Sequence, residues 1–154
     1  LILKLPEHSI EFKGVIEMKN NINNNEKVVT RLNPLKYPKP VGKYSHVTRI
    51  AKNAEWYSFS GQIGIDINEN IPGDFNEQVK NTLNNISNLL KSQNLSPENV
   101  VKVNIWATEE IDWDYFDDLW NRLFNVPSPS MTIAYITALG LPELKIEIDI
   151  WAAK

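Results

Sequence analysis

Apolar side chains recur at Val79, Leu83, Ile86 and Leu90, separated by four or three residues, with Leu89 beside them. That spacing places them on one stripe of an α-helix. Asp74 stands where an N-cap belongs and Glu77 follows three residues later, as in a capping box, so a helix is predicted from about Phe75 to Lys91. A second helix is predicted over Asp114–Phe124, with Phe116, Trp120 and Leu123 on one face. Other segments alternate with a period of two. In VVKVNIWAT (100–108), Val101, Val103, Ile105 and Ala107 fall on one side, with Lys102, Asn104 and Trp106 on the other. In LKIEIDIWA (144–152), Ile146, Ile148 and Ile150 alternate with Lys145, Glu147, Asp149 and Trp151. Between them MTIAYI (131–136) reads as a strand and LGLPE (139–143) as a turn, and Ser96-Pro97-Glu98 caps a short turn upstream.

Upstream, YSHVTRIAKNAEWYSFSGQIG (44–64) reads as strand, turn at Lys52-Asn53, strand, a hairpin ending at Gly61, followed by the polar loop IDINENIPGD. The order is therefore β-β-α-β-α-β-β. Two helices cover one face of a sheet, while the other face is predicted to carry Trp106, Tyr135 and Trp151 beside charges. Such a face is too apolar for water, which implies that copies of the chain meet there.

The first residues differ. EFKGVIEM (11–18) has the makings of a short strand, NNINNNEK (20–27) is polar and low in complexity, VVTRL (28–32) resumes a strand, and NPLKYPKPVG carries three prolines. This divides the chain into an extension over residues 1–32 and a domain over 33–154, whose compact part starts near Gly42. Two readings of the extension stand: an edge hairpin on the domain, or the remnant of something upstream. The chain opens on Leu1 without an initiator Met, so a fragment or a trimmed product is expected.

Composition narrows the function. A length of 154 residues with 42% hydrophobic positions suits one domain with a real core. The charge is −3, from 16 Lys plus Arg against 19 Asp plus Glu, and no basic stripe backs an aromatic platform, so nucleic acid is not an expected partner. Five Trp, five Tyr and five Phe point to buried interfaces, an aromatic-walled pocket, or simply a core of large residues. Cysteine is absent, and His8 and His46 are far apart, so neither a thiolate nor a zinc site is expected. No apolar run approaches the roughly 20 residues that span a bilayer, so no membrane association is expected and a cytoplasmic location is the default. Asn85-Ile86-Ser87 and Asn94-Leu95-Ser96 match the N-glycosylation pattern by chance, the first inside a helical pattern.

GKYSHV (42–47), FSGQIG (59–64) ahead of DFNEQVKNTLNNI (74–86), VVKVNIWAT and LKIEIDIWA together resemble the YjgF/Rid family, over roughly residues 33–154 and in the family's order and spacing. The resemblance implies an α+β, chorismate mutase-like fold, a homotrimer with small-molecule clefts between subunits, and no cofactor. It also implies hydrolysis of reactive enamines and imines to 2-keto acids and ammonia, although some relatives are described as endoribonucleases or translation inhibitors. Carried over by position, the family's cleft tyrosine falls on Tyr44. Its serine and glycine after the second strand fall on Ser60 and Gly61, and its water-holding glutamate falls on Glu147. The arginine that grips a substrate carboxylate in P-x-R-S/T is replaced. Pro129-Ser130-Met131-Thr132 puts Met131 there, with Thr132 after it, as in the YjgH-like branch.

Each candidate also has a plainer reading. Glu147 is one of several charges facing away from the isoleucines, so a solvated face explains it as well as a catalytic one. Tyr44 is a pocket hydroxyl or an ordinary strand aromatic. Gly61 permits close approach of a ligand to the backbone or merely ends a strand. Ser60 has no base at a readable spacing and is not a nucleophile, and His46 reads as structural. Met131 fills space and contacts rings through sulfur but cannot neutralise a carboxylate. The expectation is a cleft for an uncharged or mostly apolar small molecule, with any hydrolysis undefined. The alternatives are a deaminase drawing its positive charge from Lys43, Arg49 or the extension, and an endoribonuclease or translation inhibitor.

Overall fold

The helical stripe predicted from the sequence is formed. In a computed structural model, which describes residues 27–124 and 127–154, helix α1 (Phe75–Ser92) buries Val79, Leu83, Ile86 and Leu90, each at most 5% exposed. Asp74 starts the helix: its Oδ1 accepts the backbone N–H of Glu77 at 2.9 Å, satisfying one of the donors that a helix N-terminus leaves open. Helix α2 (Trp113–Leu123) starts one residue earlier than predicted because Asp112 is the cap, accepting the N–H of Tyr115 at 3.2 Å. The expected strand at 11–18, His8 and all but the end of the 20–27 stretch lie outside the described residues.

Among the described residues seven strands accompany the helices: β1 (Val29–Leu32), β2 (Val47–Ile50), β3 (Trp56–Ser58), β4 (Gln62–Ile63), β5 (Val100–Ala107), β6 (Ser130–Tyr135) and β7 (Ile146–Ala153). The main sheet runs β3-β7-β5-β6, with β4 also paired to β7. β5 and β7 are antiparallel, whereas β5 and β6 are parallel, joined by the crossover through α2. The isoleucines of β7 meet Val103, Ile105 and Ala107 of β5 on the helix side, and with the apolar stripe of α1 and Phe116, Trp120 and Phe124 they form the core.

Two expectations need correction. The predicted hairpin over residues 44–61 does not form: the chain does turn after Ala51, but β2 pairs antiparallel with β1 in a separate two-stranded sheet, and β3 pairs with β7. β1, placed in the extension by sequence, is thus the strand that completes β2. Tyr135 is not on the uncovered face. Parallel pairing sets it against Ala107, whose side faces the core, and its hydroxyl accepts the N–H of Ile111 at 3.3 Å. Trp56 takes its place, 53% exposed and edge-on to Trp151 with centroids 6.4 Å apart. The uncovered face thus carries Trp56, Trp106 and Trp151 with Lys102, Asn104, Glu147 and Asp149. Among the described residues no helix is long and apolar enough to cross a membrane, and no cluster of His, Asp and Glu could hold a metal ion.

Candidate functional site

Strand parity decides where each candidate points, because successive side chains alternate between the faces of a sheet. Met131 sits opposite Val103, which is buried against the helices, so Met131 lies on the helix side of β6. Glu147 sits opposite Trp106 on β5 and Ile63 on β4, on the uncovered side. The two residues therefore occupy opposite faces, with β5 between their strands. Within one chain they do not meet.

Met131 and Tyr44 do come together. They line a groove of about 380 Å³ with Val41, Gly42 and Lys43 above, Trp113, Phe116 and Asp117 of α2 as one wall, and Ile133 beside Met131. The rings are fixed in place: Phe116 is 1% exposed and holds Trp113 edge-on at 5.7 Å, while Tyr44 stands edge-on to His46 at 5.6 Å. His46 has the structural role expected, its Nε2 2.7 Å from the carbonyl of Pro38 and its backbone N–H donating to Asn33 Oδ1. A larger groove of about 930 Å³ lies between residues 33–45 and the end of α2. It shares Gly42, Lys43 and Tyr44 with the first but holds none of the other candidates.

The depth of Met131 is set by contacts that sequence reasoning missed. Ser45, 3% exposed, donates its hydroxyl to Ser128 O at 2.7 Å and its N–H to Pro129 O at 3.1 Å. The Thr48 and Ser130 hydroxyls are 2.9 Å apart, and Trp120 Nε1 donates to Ser128 Oγ at 3.0 Å. Arg31 of β1 donates to the carbonyls of Pro97 and Val100 at 2.8 and 2.9 Å and to that of Pro127. Burial pushes its guanidinium below the usual arginine value, against the opposing pull of Glu98. Single hydroxyls in a Pro-Ser-Pro-Ser stretch carry no local mark of such partners.

Gly61 and Glu147 form a second corner. A Cβ on Gly61 would stand 1.8 Å from Glu147 Oε1, so the carboxylate fills the space that the missing side chain leaves. Ser60 is exposed beside it, its carbonyl accepting from Gln62 Nε2 at 3.0 Å. The neighbouring charges are consumed: Asp149 accepts from Asn104 Nδ2 at 2.9 Å and Trp106 Nε1 at 3.0 Å, and Lys145 pairs with Glu109 at 2.8 Å. Among the described residues the half-buried Glu147 carboxylate has no hydrogen-bond or ion-pair partner. Thr132, on the uncovered face with Asn104, bonds Lys102 Nζ through its hydroxyl at 2.5 Å. Burial pushes the Lys102 ammonium below the ordinary lysine value, partly offset by Asp149. Six candidates thus divide into a Tyr44–Met131 groove, a Ser60–Gly61–Glu147 corner, and Thr132 apart from both.

The chain is similar to known proteins over most of its length. The profile of the family described as Endoribonuclease L-PSP matches residues 35–154. A RutC family protein of Aquifex aeolicus is 34% identical, the match covering 77% of this chain and 94% of that protein. A 2-iminobutanoate/2-iminopropanoate deaminase of Dermatophagoides farinae is 25% identical over 73% of this chain and 86% of its own length. Among solved structures, a Rid-family protein of unknown function from Yersinia pestis has the same fold, with a TM-score of 0.74 at 19% identity, covering 83% of this chain and all of that one. A structure described as a putative endoribonuclease from Thermotoga maritima is 26% identical with a TM-score of 0.58, covering 81% of this chain and 97% of the other. By profile, relatives and fold together, this chain belongs to the endoribonuclease L-PSP family, the YjgF/Rid proteins.

Proposed function

We propose that the chain binds a small, uncharged or mostly apolar molecule in clefts between the subunits of a homotrimer, as a member of the YjgH-like branch. The observation that carries this reading is the composition of the Met131 groove: three aromatic rings, Ile133 and the thioether stand where a carboxylate-binding site needs a guanidinium. The trimer follows from what a single chain leaves incomplete. β6 is the edge of the main sheet, Met131 and Glu147 face opposite ways, and the uncovered face exposes Trp56 and Trp151. A neighbouring copy that covers this face and edge brings its own Gly61–Glu147 corner toward the Met131 groove. Sedimentation equilibrium should therefore return about three times the 17.7 kDa of one copy. A monomer across micromolar concentrations would end both the trimer and the shared cleft.

A second reading, an enamine/imine deaminase, is favoured by the unpartnered Glu147 carboxylate. In that reaction Glu147 takes a proton from water as the hydroxide adds to the imine carbon and returns it to the nitrogen, and it then carries the proton of the new hydroxyl to that nitrogen as the C–N bond breaks, releasing ammonia and leaving the keto acid. Lys43, which lines the Met131 groove, is then the cation available to the substrate. Adding the protein to an amino-acid dehydratase reaction and following decay of the transient intermediate separates the two readings. The proposed function expects decay at the background rate for these carboxylate-bearing intermediates. Acceleration well above background, lost in Glu147→Gln, would establish the deaminase instead.

A further inference from the structure

The Met131 groove has a charge of its own that the apolar reading leaves unused. Of its lining residues only Lys43 and Asp117 are charged. Lys43 is exposed on the loop before Tyr44, on a flexible stem whose ammonium is strongly hydrated. Asp117 is half-buried on α2, one turn beyond Trp113 and beside Phe116. Its neighbours on the helix have structural partners: Asp112 caps the helix, Asp114 lies in the first turn where a negative charge meets the helix dipole, and Asp118 pairs with Arg122. Asp117 has no such explanation, and among the described residues its carboxylate has no partner. It is held at the rim of a groove whose remaining walls are the rings of Tyr44, Trp113 and Phe116 and the side chains of Met131 and Ile133.

Aromatic faces attract a cation through their quadrupoles, and they tolerate an apolar tail equally well. A carboxylate held on the helix wall of such a cage supplies the counter-charge and disfavours anions, while the lysine on the facing loop, exposed and on a flexible stem, keeps most of its hydration. We propose that the ligand of this groove is a small organic ammonium with an apolar body, held by Asp117 and the rings of Tyr44 and Trp113. This rests on the reading of the Met131 groove as the ligand site and adds the sign of the ligand's charge.

The test compares three probes of one shape against the assembled protein at neutral pH and low salt: 2-phenylethylammonium, 2-phenylethanol and 3-phenylpropanoate. Binding is measured by calorimetry, and by the fluorescence of the partly exposed Trp113 against a Trp113→Phe control. The ammonium should bind on the order of tenfold more tightly than the alcohol, and the carboxylate most weakly. Asp117→Asn should bring the ammonium down to the level of the alcohol while leaving the alcohol within about twofold of wild type. Helicity and assembled mass report that the variant is folded, and the ranking of the probes on the unaltered protein does not depend on it. Equal binding of ammonium and alcohol, or an unchanged ammonium preference in folded Asp117→Asn, would overturn the cation inference and leave the apolar reading standing. Tightest binding by the carboxylate, or no binding by any probe, would overturn both.

Discussion

Gly64→Ala should destabilise the protein by about 3 kcal/mol. A Cβ at Gly64 would stand 2.4 Å from Gln78 Cβ and 2.5 Å from its Cα, so it meets the backbone of α1 and no flexible side-chain end can yield. The obstruction falls where α1 is laced to the sheet by amides. Gln78, fully buried, donates to Pro72 O and Glu143 O at 2.8 Å each and accepts the N–H of Lys145 at 2.9 Å. Asn81 donates to Gly64 O, and Asn85 to Ile63 O and Ile65 O, at 3.0 to 3.1 Å. Moving the helix outward to admit the methyl stretches bonds whose groups are then left dry and unpaired, at about 1–3 kcal/mol for each one lost. Thermal unfolding at fixed protein concentration should show a midpoint lowered by about 6–12 °C. Gly73→Ala is the control, since a Cβ there meets nothing within 4 Å and no glycine among the described residues has a positive φ. It should leave stability unchanged or raise it by up to about 1 kcal/mol. Equal midpoints for the two variants would mean that α1 does not ride this close to β4.

That contact illustrates what a sequence makes legible. The stripe of α1, the alternation of β5 and the isoleucines of β7 are local patterns with a large energetic consequence, and each becomes the element it predicts. Pairing is not local. VTRI and WYS have the same alternation whether they pair with each other or with strands elsewhere, and a turn at Lys52-Asn53 is needed in both cases. β2 therefore looks like half of a hairpin with β3 while its partner is β1. The face of Tyr135 is hidden in the sequence for a related reason. The parity of β6 is set by its register with β5, and shifting that register by one residue would exchange the two faces.

The candidate site was legible to a similar degree. The resemblance to the YjgF/Rid family points to Tyr44 and Met131, which share a groove, and to Gly61 and Glu147, which meet at a corner, but nothing in the sequence says that the two pairs face opposite sides of the sheet. Asp117 and Trp113, which complete the groove, lie at i and i+4 on a helix whose apolar face already accounts for Phe116 and Trp120. Their exposure, 41% for Trp113, was the missing information. The charges at Lys145, Glu147 and Asp149 are equivalent as sequence. Their partners distinguish them, because Lys145 and Asp149 are occupied and Glu147 is not.

Met131→Arg should turn a protein without measurable affinity for small 2-keto acids into one that binds 2-oxobutyrate. A planar guanidinium at this position offers two parallel hydrogen bonds to a carboxylate, and leaving one partner of such a buried pair unmatched typically costs about 2–5 kcal/mol, or about one and a half to three and a half decades in affinity. The hydroxyl latch between Ser45, Thr48 and the 128–130 segment, together with the Val103 register, should hold β6 in place, so the new side chain enters the groove at the depth of Met131. Two effects reduce the gain. The guanidinium leaves water for a groove walled by aromatic rings, and Asp117, on the same groove, competes with the ligand for it. The second effect can be removed. Combining Met131→Arg with Asp117→Asn should bind 2-oxobutyrate more tightly than Met131→Arg alone, whereas Asp117→Asn alone should not bind it. Calorimetric titration of the four proteins measures the series directly. Tight keto-acid binding by the unaltered protein would show that Met131 does not set the charge of the ligand. No gain in either arginine variant, at unchanged assembled mass, would mean that the groove around Met131 is not where a ligand carboxylate could be received.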